Sequence, residues 1–429
     1  MSTVTHTIAY LAGVFPLRSE TFVYREIRAL RRRGWTVRTC ALNQPTERPA
    51  GLEDLQADVL YAYSAGSVRS AILELLAHPL RSIGSICTAI GDAIVPGERT
   101  ALATRLKFLP QVLAALGLAR RLRGIETLHC HFAHAPATTG MYIARQLRIP
   151  FSFTGHANDL FQRRALLRKK LSRAGFVCCI SEWHREFYRS IEPERAQKYE
   201  VVRCGVEIPR QSDHSESNNQ KLRLLTVCRL VEKKGVDTLI AALVDLRDRH
   251  GINCRLTVAG DGPDRNRLTE LSKQLHCADE IEWLGAVENE RVLELLGRAD
   301  VFALPCRVDS RGDRDGIPVV LMEAMAAGVT VISGDLPAIR ELIQNGSSGL
   351  LVNGQDATAL ADQLANVARD SDLRSRLAQA GRARVGEEFS LDLNIDRLEQ
   401  LLLRTTGIRA VGEENDTSGR RKSKLAVGA

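Results

Sequence analysis

Aromatic residues make up only 5% of the chain, and its ten cysteines never form a C-x-x-C pair. Cys178 and Cys179 are adjacent on a strand-like run, while Cys40, Cys87, Cys130, Cys204 and Cys306 are scattered. In a chain of 429 residues that usage argues for reduced, mostly buried thiols and against a disulfide frame. No stretch approaches the ~18 uncharged apolar residues of a membrane span. Met1–Ala9 has no positive region leading into an apolar one, so no secretory signal is expected there. What is present is ordinary globular composition, 44% apolar and 26% charged, at a length that suits about two to three domains.

Charge is unevenly placed. Residues 1–210 carry 30 basic and 17 acidic side chains, and residues 211–429 carry 29 and 34, within a net charge of +8. A basic front half points to an anionic partner. Nucleic acid, a phospholipid surface and a phosphate-bearing substrate all meet that description, and so does a merely well-solvated surface. The Arg clusters at 31–33, 120–123 and 163–173 lack interleaved aromatics for base stacking, and no nucleic-acid motif appears, so nucleic acid is not expected as a partner.

Along the chain, β-rich apolar runs alternate with helical stretches. Thr7–Val14 reads as a strand and Glu20–Arg33 as a helix, with Phe22, Val23, Ile27 and Leu30 at helical spacing and Gly34 as its stop. Strand-like runs recur at 35–42, 127–132, 151–154, 176–180 and 200–202. Polar residues 206–221 (VEIPRQSDHSESNNQK) read as a linker, and the alternation then restarts with strands at 222–228, 255–259, 281–284, 301–304 and 329–333. This rhythm predicts two parallel α/β domains, 1–205 and 222–390, facing across a cleft. Ligands bind at the carboxyl ends of strands in such sheets, so the cleft is the expected site. Residues 66–124 hold amphipathic, Arg-dotted helices, read as an insertion packed on the sheet, with a membrane face as the alternative. A helix at 391–405 is expected to pack back on the front domain, and the tail 406–429 to be disordered.

Three segments carry chemistry. In Asp309–Gly328 (DSRGDRDGIPVVLMEAMAAG) a polar loop leads into a helix with Pro318 in its first turn. The amides of Gly316, Ile317 and Val319, beside Pro318, would form an anion site at the helix N-terminus. Asp315 and Glu323 flank that site and suit hydroxyl groups better than phosphate, which points to a sugar nucleotide. In Val227–Gly235 (VCRLVEKKG), Arg229 and Lys234 follow a strand where a diphosphate would need neutralising. In Phe153–Leu160 (FTGHANDL), His156 ends a front-domain strand beside Asn158 and Asp159, placed to bind a substrate hydroxyl or orient a leaving group.

Together these segments resemble the retaining nucleotide-sugar glycosyltransferases of family 4, which have the two-Rossmann GT-B fold. AGDGP (Ala259–Pro263), RADVFALPC (Arg298–Cys306) and GIPVVLMEAMAAG add to the resemblance. The front half is similar to the exopolysaccharide and colanic-acid type, through FPLRSETF (Phe15–Phe22) and the His129–Ala137 stretch. The resemblance implies that Arg229 and Lys234 hold the donor diphosphate and that Glu323 bonds the ribose hydroxyls. Asp315 stands where the family has the first glutamate of its E-x7-E motif, a position that contacts the transferred sugar. His156 would lie near that sugar, and the loop with Phe15, Ser19, Glu20 and Thr21 would meet diphosphate and acceptor.

The same resemblance implies front-face transfer with retained configuration, no separate base and no cofactor beyond the nucleoside-diphosphate sugar donor. It also implies a glycan or polyprenyl-diphosphate-linked acceptor, with peripheral association at an anionic membrane and a cytoplasmic location, its inner membrane face included. Two metal patterns were weighed against it. Asp313 and Asp315 form a D-x-D, and His129, His131 and His134 surround Cys130, but neither is expected to bind metal. A dehydrogenase is not expected, because no G-x-G-x-x-G follows the first strand. A nucleotide-sugar-binding protein without turnover and a sugar-nucleotide epimerase of the same fold are the alternative functions.

Overall fold

The computed structural model describes residues 6–17, 20–46, 51–98, 100–156, 165–209 and 221–407. In the front domain, β1 (Thr7–Val14), β2 (Thr36–Asn43), β3 (Leu60–Tyr61), β4 (Thr127–His131), β5 (Phe151–Gly155), β6 (Val177–Cys179) and β7 (Tyr199–Val201) form one sheet. Its order is β3-β2-β1-β4-β5-β6-β7. In the rear domain, β8 (Leu222–Val227), β9 (Cys254–Ala259), β10 (Ile281–Gly285), β11 (Val301–Leu304), β12 (Thr330–Gly334) and β13 (Leu350–Val352) follow the order β10-β9-β8-β11-β12-β13. The recorded strand pairings are parallel in both sheets. Counted within each domain, both open on the doubly wound order 3-2-1-4-5-6. Two Rossmann-like α/β domains are therefore what the chain forms.

Alternation along the strands explains why they bury both faces. Ile8, Tyr10 and Ala12 of β1 join one core layer, and Ala9 and Leu11 join the opposite one. In the rear sheet, Val301 and Ala303 of β11 face one layer while Phe302 and Leu304 face the other. A strand covered on both sides reads as a continuous apolar run, which is why these strands stand out in the sequence. Two of the four edge strands, β3 and β13, two and three residues long, were not read there.

The domains meet at a narrow waist. Val206 N–H donates to Phe389 O at 3.0 Å, and Leu391 N–H donates to Val206 O at 2.9 Å. Residues 210–220 of the expected linker, and 408–429 of the expected tail, lie outside the described residues. The helix Leu391–Thr406 returns to the front domain, where Leu391, Ile395, Leu398 and Leu402 share a core with Val23, Ile27 and Leu30. Trp35 Nε1 donates to Glu399 on that helix at 2.7 Å.

The insertion after β3 is a helical layer made of Ala65–Ala77, Pro79–Ile94, Leu102–Leu106 and Phe108–Arg121. One stretch of it, Leu102–Arg121, is long and apolar enough to cross a membrane by length and composition. It carries Arg105, Lys107, Arg120 and Arg121, so it is not the uncharged apolar run that the sequence lacks. Half of it is buried inside the fold, with Phe108, Val112, Ala115 and Leu118 in the front core.

At the carboxyl ends of the rear strands the loops touch main chain to main chain. Gly260, at φ +132°, leaves no room for a side chain: a Cβ would fall onto the carbonyl oxygen of Cys228. Gly124 also has positive φ, at +89°, but nothing lies within 4 Å of its Cβ direction. Gly124→Ala should therefore cost only the left-handed backbone strain, about 1–2 kcal/mol. Gly260→Ala should cost clearly more, because the β8 loop must also move. Thermal melts of the two variants check this; equal losses would show that the close approach is slack.

Candidate donor site between the two domains

The rear domain builds most of the site. After β8, Leu230 N–H donates to Asp261 O at 3.0 Å, so the loop carrying Arg229 is tied to the AGDGP turn. A one-turn helix, Glu232–Lys234, then ends at Gly235, whose φ of +67° turns the chain into the helix Val236–Asp248. A Cβ at Gly235 would strike Pro305 O, so this turn sits against the end of β11. That packing carries Lys234 to Asp315, with Nζ 2.8 Å from Oδ2 and both side chains mostly buried. Cys306 Sγ lies 3.4 Å from the same Asp315 oxygen.

The two charges hold each other. Burial alone would raise the Asp315 carboxyl, but Lys234 and Lys233 outweigh it and keep it below its ordinary value. Burial likewise works against the Lys234 ammonium, and Asp315 more than compensates, pushing it above its ordinary range. Lys233 reaches Asp313 at 3.0 Å and Asp315 at 3.4 Å. Both carboxylates of the D-x-D are thus engaged by lysines.

Beyond Asp315 the chain runs through Gly316 and Ile317 into the helix Val319–Ala326. Pro318 stands at the cap, one residue before the first helical turn, with ψ 127°. The amides of Gly316, Ile317, Val319 and Val320 donate to no other described group. They form a row of free donors at the positive end of the helix, next to Lys234–Asp315. Arg229 is exposed and has no hydrogen bond or ion pair among the described residues.

Glu323 is not left waiting for a ligand. It is 6% exposed and accepts from Arg25 of the front domain at 2.5 Å, while Asn289 Nδ2 stands 3.4 Å away. Arg25 also donates to Asn289 Oδ1 at 3.2 Å. A second carboxylate joins the domains: Glu341 accepts from the amides of Glu182 and Trp183, each at 2.8 Å, and from Arg203 at 2.8 Å. It caps the first turn of the front-domain helix Glu182–Ile191 from across the cleft. Trp183 and His184 also face Arg314, Asp315, Gly316 and Pro337 across a narrow crevice.

On the front side His156 ends β5 in an aromatic nest, its ring 4.4 Å from that of Phe22 and 4.8 Å from that of Phe132. Phe132 itself sits at φ +76°, a strained setting for a bulky residue. Burial first, then the neighbouring His131, holds His156 well below its ordinary pKa, so it is neutral. His156 Nε2 meets His131 Nδ1 at 3.3 Å. His131 Nε2 lies 3.4 Å from Glu26 Oε1 without hydrogen-bond alignment, and Tyr10 donates to Glu26 at 2.5 Å. Burial would raise Glu26, but His131, His129 and Tyr10 together keep it below its ordinary value.

Glu26, His129 and His131 are the one group among the described residues whose ligand atoms all lie within 4.8 Å of one another. His129, however, spends both nitrogens on hydroxyls, Ser152 at 2.8 Å and Thr154 at 2.9 Å, and burial lowers it to about 3. His134, the third histidine of the sequence pattern, caps its own helix by accepting from Ala135 N–H at 2.8 Å.

The acceptor-side residues divide. Phe15 is 2% exposed, so its side chain belongs to the core and its backbone is what this loop would offer a ligand. Thr21 opens the first helix, and Ser19, like Asn158 and Asp159, lies outside the described residues. Glu20 stands at the helix cap without capping it, and its Oε2 is buried with no partner among the described residues. Arg25, Glu26, His184, Asn289 and Glu341 were missed by motif reading. His184 had a signal, following Ser181 at the end of β6, and its ring stands over Ser181 Oγ at 2.6 Å. Burial lowers it to about 4, and Nε2 has no partner among the described residues.

Two facing Rossmann-like domains, with a cation and free helix amides at the cleft, define a nucleotide-binding architecture of the GT-B kind. Comparison with known proteins agrees. Residues 19–210 match the model for Glycosyltransferase Family 4, and residues 207–384 match that for Glycosyl transferases group 1. The putative colanic acid biosynthesis glycosyltransferase WcaL of Salmonella typhimurium is 38% identical over 48% of this chain and 51% of its own. The chain thus spans about half the length of that relative. The GDP-mannose-dependent monoacylated alpha-(1-6)-phosphatidylinositol monomannoside mannosyltransferase of Corynebacterium glutamicum is 32% identical over 70% of this chain and 82% of its own. Among solved structures, Anabaena HepE in complex with UDP and glucose superposes with a TM-score of 0.68 at 15% identity, covering 93% of this chain and 100% of that one. The chain belongs to the group 1, family 4 glycosyltransferases.

Burial alone raises Glu20 from 4.5 to about 8. The native state then keeps a proton that the unfolded chain has lost, so this residue's contribution to stability falls as pH climbs between those values. Glu20→Gln should melt above the parent at pH 8.5 and level with it at pH 4. The same difference at both pH values would show that Glu20 is ionised in the fold.

Proposed function

We propose that the chain moves a hexose-type sugar from a nucleoside-diphosphate sugar to a lipid-linked or glycan acceptor in exopolysaccharide or cell-surface glycan synthesis. The observation that carries this reading is Lys234, buried in the rear cleft beside four free amides at the mouth of the helix Val319–Ala326. Positive potential concentrated there is what a departing nucleoside diphosphate requires. Arg229, exposed and unpaired among the described residues, supplies a second cation from the neighbouring loop. The HepE complexes hold UDP, and the mannosyltransferase relatives are named for GDP-mannose and for lipid acceptors, which supports a nucleotide-sugar donor without choosing its base.

In this reading the bond from the anomeric carbon to the β-phosphate oxygen breaks while the acceptor oxygen bonds the same carbon from the same face. The acceptor proton passes to the departing phosphate, so configuration is retained and no protein base is needed. Neutral His156 donates to or accepts from a sugar hydroxyl. Asp315 shares its carboxylate between Lys234 and the transferred sugar, and the ribose takes Glu323 from Arg25. Lysines on both aspartates of the D-x-D supply the charge that a metal would bring, which favours metal-independent transfer with no cofactor. The place of action is the cytoplasm, at the inner face of an anionic membrane.

Incubating the chain with radiolabelled UDP-, GDP- and ADP-sugars and a polyprenyl-diphosphate-linked acceptor tests the whole reading. One donor should label the acceptor, with EDTA having no effect. Conversion of the donor to an epimer without acceptor, or binding with no turnover of any donor, would overturn it. The matching nucleoside diphosphate at 100 times its Kd should stabilise the fold by about 2.7 kcal/mol. Lys234→Ala should lower kcat by ~10²–10³, the scale of losing one preorganised charge contact. A Lys234→Ala enzyme at parental rate would remove the lysine from the mechanism.

A further inference from the structure

In the helical layer at 65–121, the helices Ala65–Ala77 and Pro79–Ile94 are built with their polarity reversed. Their outward faces are apolar: Val68, Ile72 and Leu76 line one side of the helix Ala65–Ala77 and are 57–71% exposed. Leu80, Ile83, Ile90 and Ile94 line the helix Pro79–Ile94 in the same way, with exposed Cys87 completing the i, i+3, i+7 row. Leu102, Leu106, Leu109 and Leu113 continue the face on the next helical pair. Of 17 exposed large apolar side chains among the described residues, 15 fall between Tyr63 and Leu113.

The inward faces hold the charge. Glu74, 1% exposed, accepts two bonds from Arg123 at 2.9 and 2.8 Å and one from Gln146 at 2.8 Å. Asp92, also 1% exposed, is gripped by Arg173 at 2.7 and 2.9 Å and by Lys169 at 2.8 Å. A layer that buries its carboxylates and shows its leucines to solvent has a second apolar neighbour to meet.

We infer that this face lies in the interfacial region of a bilayer containing anionic lipid. Three parallel observations select that occupant. Among the described residues, the side chains of this layer that are exposed, charged and without an ion pair include Arg69, Arg81 and Lys107, all basic. The carboxylates between 63 and 113 are turned inward, the third, Glu98, accepting from Leu167 N–H at 2.6 Å. A second copy across a two-fold axis would set those same cations against one another, so charge opposes a homodimer and favours lipid phosphate. The stripes run over four helices that lie on the domain surface, the geometry of interfacial helices and not of a span. This surface deepens the membrane association proposed above, but its test does not depend on sugar transfer.

Cys87 is the one exposed cysteine of the ten and sits within the stripe, so an environment-sensitive dye on it reports insertion directly. Vesicles of phosphatidylcholine with 30% phosphatidylglycerol should shift its emission to the blue and carry the full chain upward in flotation. Pure phosphatidylcholine should do so at least tenfold less. Leu80→Glu/Ile90→Glu should lose vesicle binding at least tenfold while keeping its melt and its stabilisation by nucleoside diphosphate. That retained stabilisation separates failure of the surface from failure of the transferase reading. Unchanged flotation of the double variant, or a dye that does not respond, would overturn the inference. So would light scattering that shows a dimer which the double variant dissolves.

Discussion

The rear domain depends on main chain touching main chain at the carboxyl ends of its strands. Gly260 leans on Cys228 O, Gly235 on Pro305 O and Gly334 on Cys306 O, each so closely that any side chain would collide. Without those contacts the loops after β8, β9, β11 and β12 would stand apart by the width of a side-chain layer. With them, Lys234, Asp315 and the free amides of Gly316–Val320 occupy one small volume. The chemistry proposed for the cleft is a consequence of that closeness. The proposed phosphate site rests on the convergence of several donors, none of which would suffice alone.

That convergence has an electrostatic cost, and the chain meets it by pairing the buried cleft charges in advance. Lys234 rests on Asp315 and Glu323 rests on Arg25. A buried ion deprived of its partner costs several kcal/mol, so neither member can be exposed cheaply until a ligand replaces the other. A nucleotide sugar can do this at both places together, with phosphate for Lys234 and hydroxyls for Asp315 and Glu323. A bare phosphate would satisfy Lys234 but leave Arg25 holding Glu323, and the cross-domain tie would persist. Selectivity for the whole donor can therefore arise from the partners that must be released, as well as from the contacts that form.

Much of this was legible before any coordinates. Strands buried on both faces write themselves as apolar runs, so two doubly wound domains and the cleft followed from the order of β1, β2, β4 and their counterparts in the second half. Lys234, Asp315 and Glu323 were visible because each lies a fixed distance from a strand end or helix start. Their partners were not. Arg25 is one of several arginines on the first helix, and only the packing of two domains 298 positions apart in sequence selects it. Glu26 and His131 meet because helix and strand cross, and Glu341 finds its amides only when the domains face each other. Phe15 was legible as a motif position, but that its side chain anchors the loop in the core was not.

The insertion shows a different limit. Periodicity establishes that a helix has two unlike faces, but it does not say which one turns inward. The ordinary expectation puts leucines inside, and residues 66–124 read that way as an insertion packed on the sheet. In the fold, the helix Phe108–Arg121 does supply such packing, but the layer over it turns Glu74 and Asp92 toward Arg123, Gln146, Arg173 and Lys169 instead. Those partners lie in elements that follow the insertion, so the preference for carboxylates inward exists only after the domain has assembled. Burying two carboxylates is tolerable because each is fully bonded. Leaving some fifteen large apolar side chains in water is not offset by anything inside the molecule. The balance is restored only by an apolar surface outside it, and the arginines at its rim give that surface its charge.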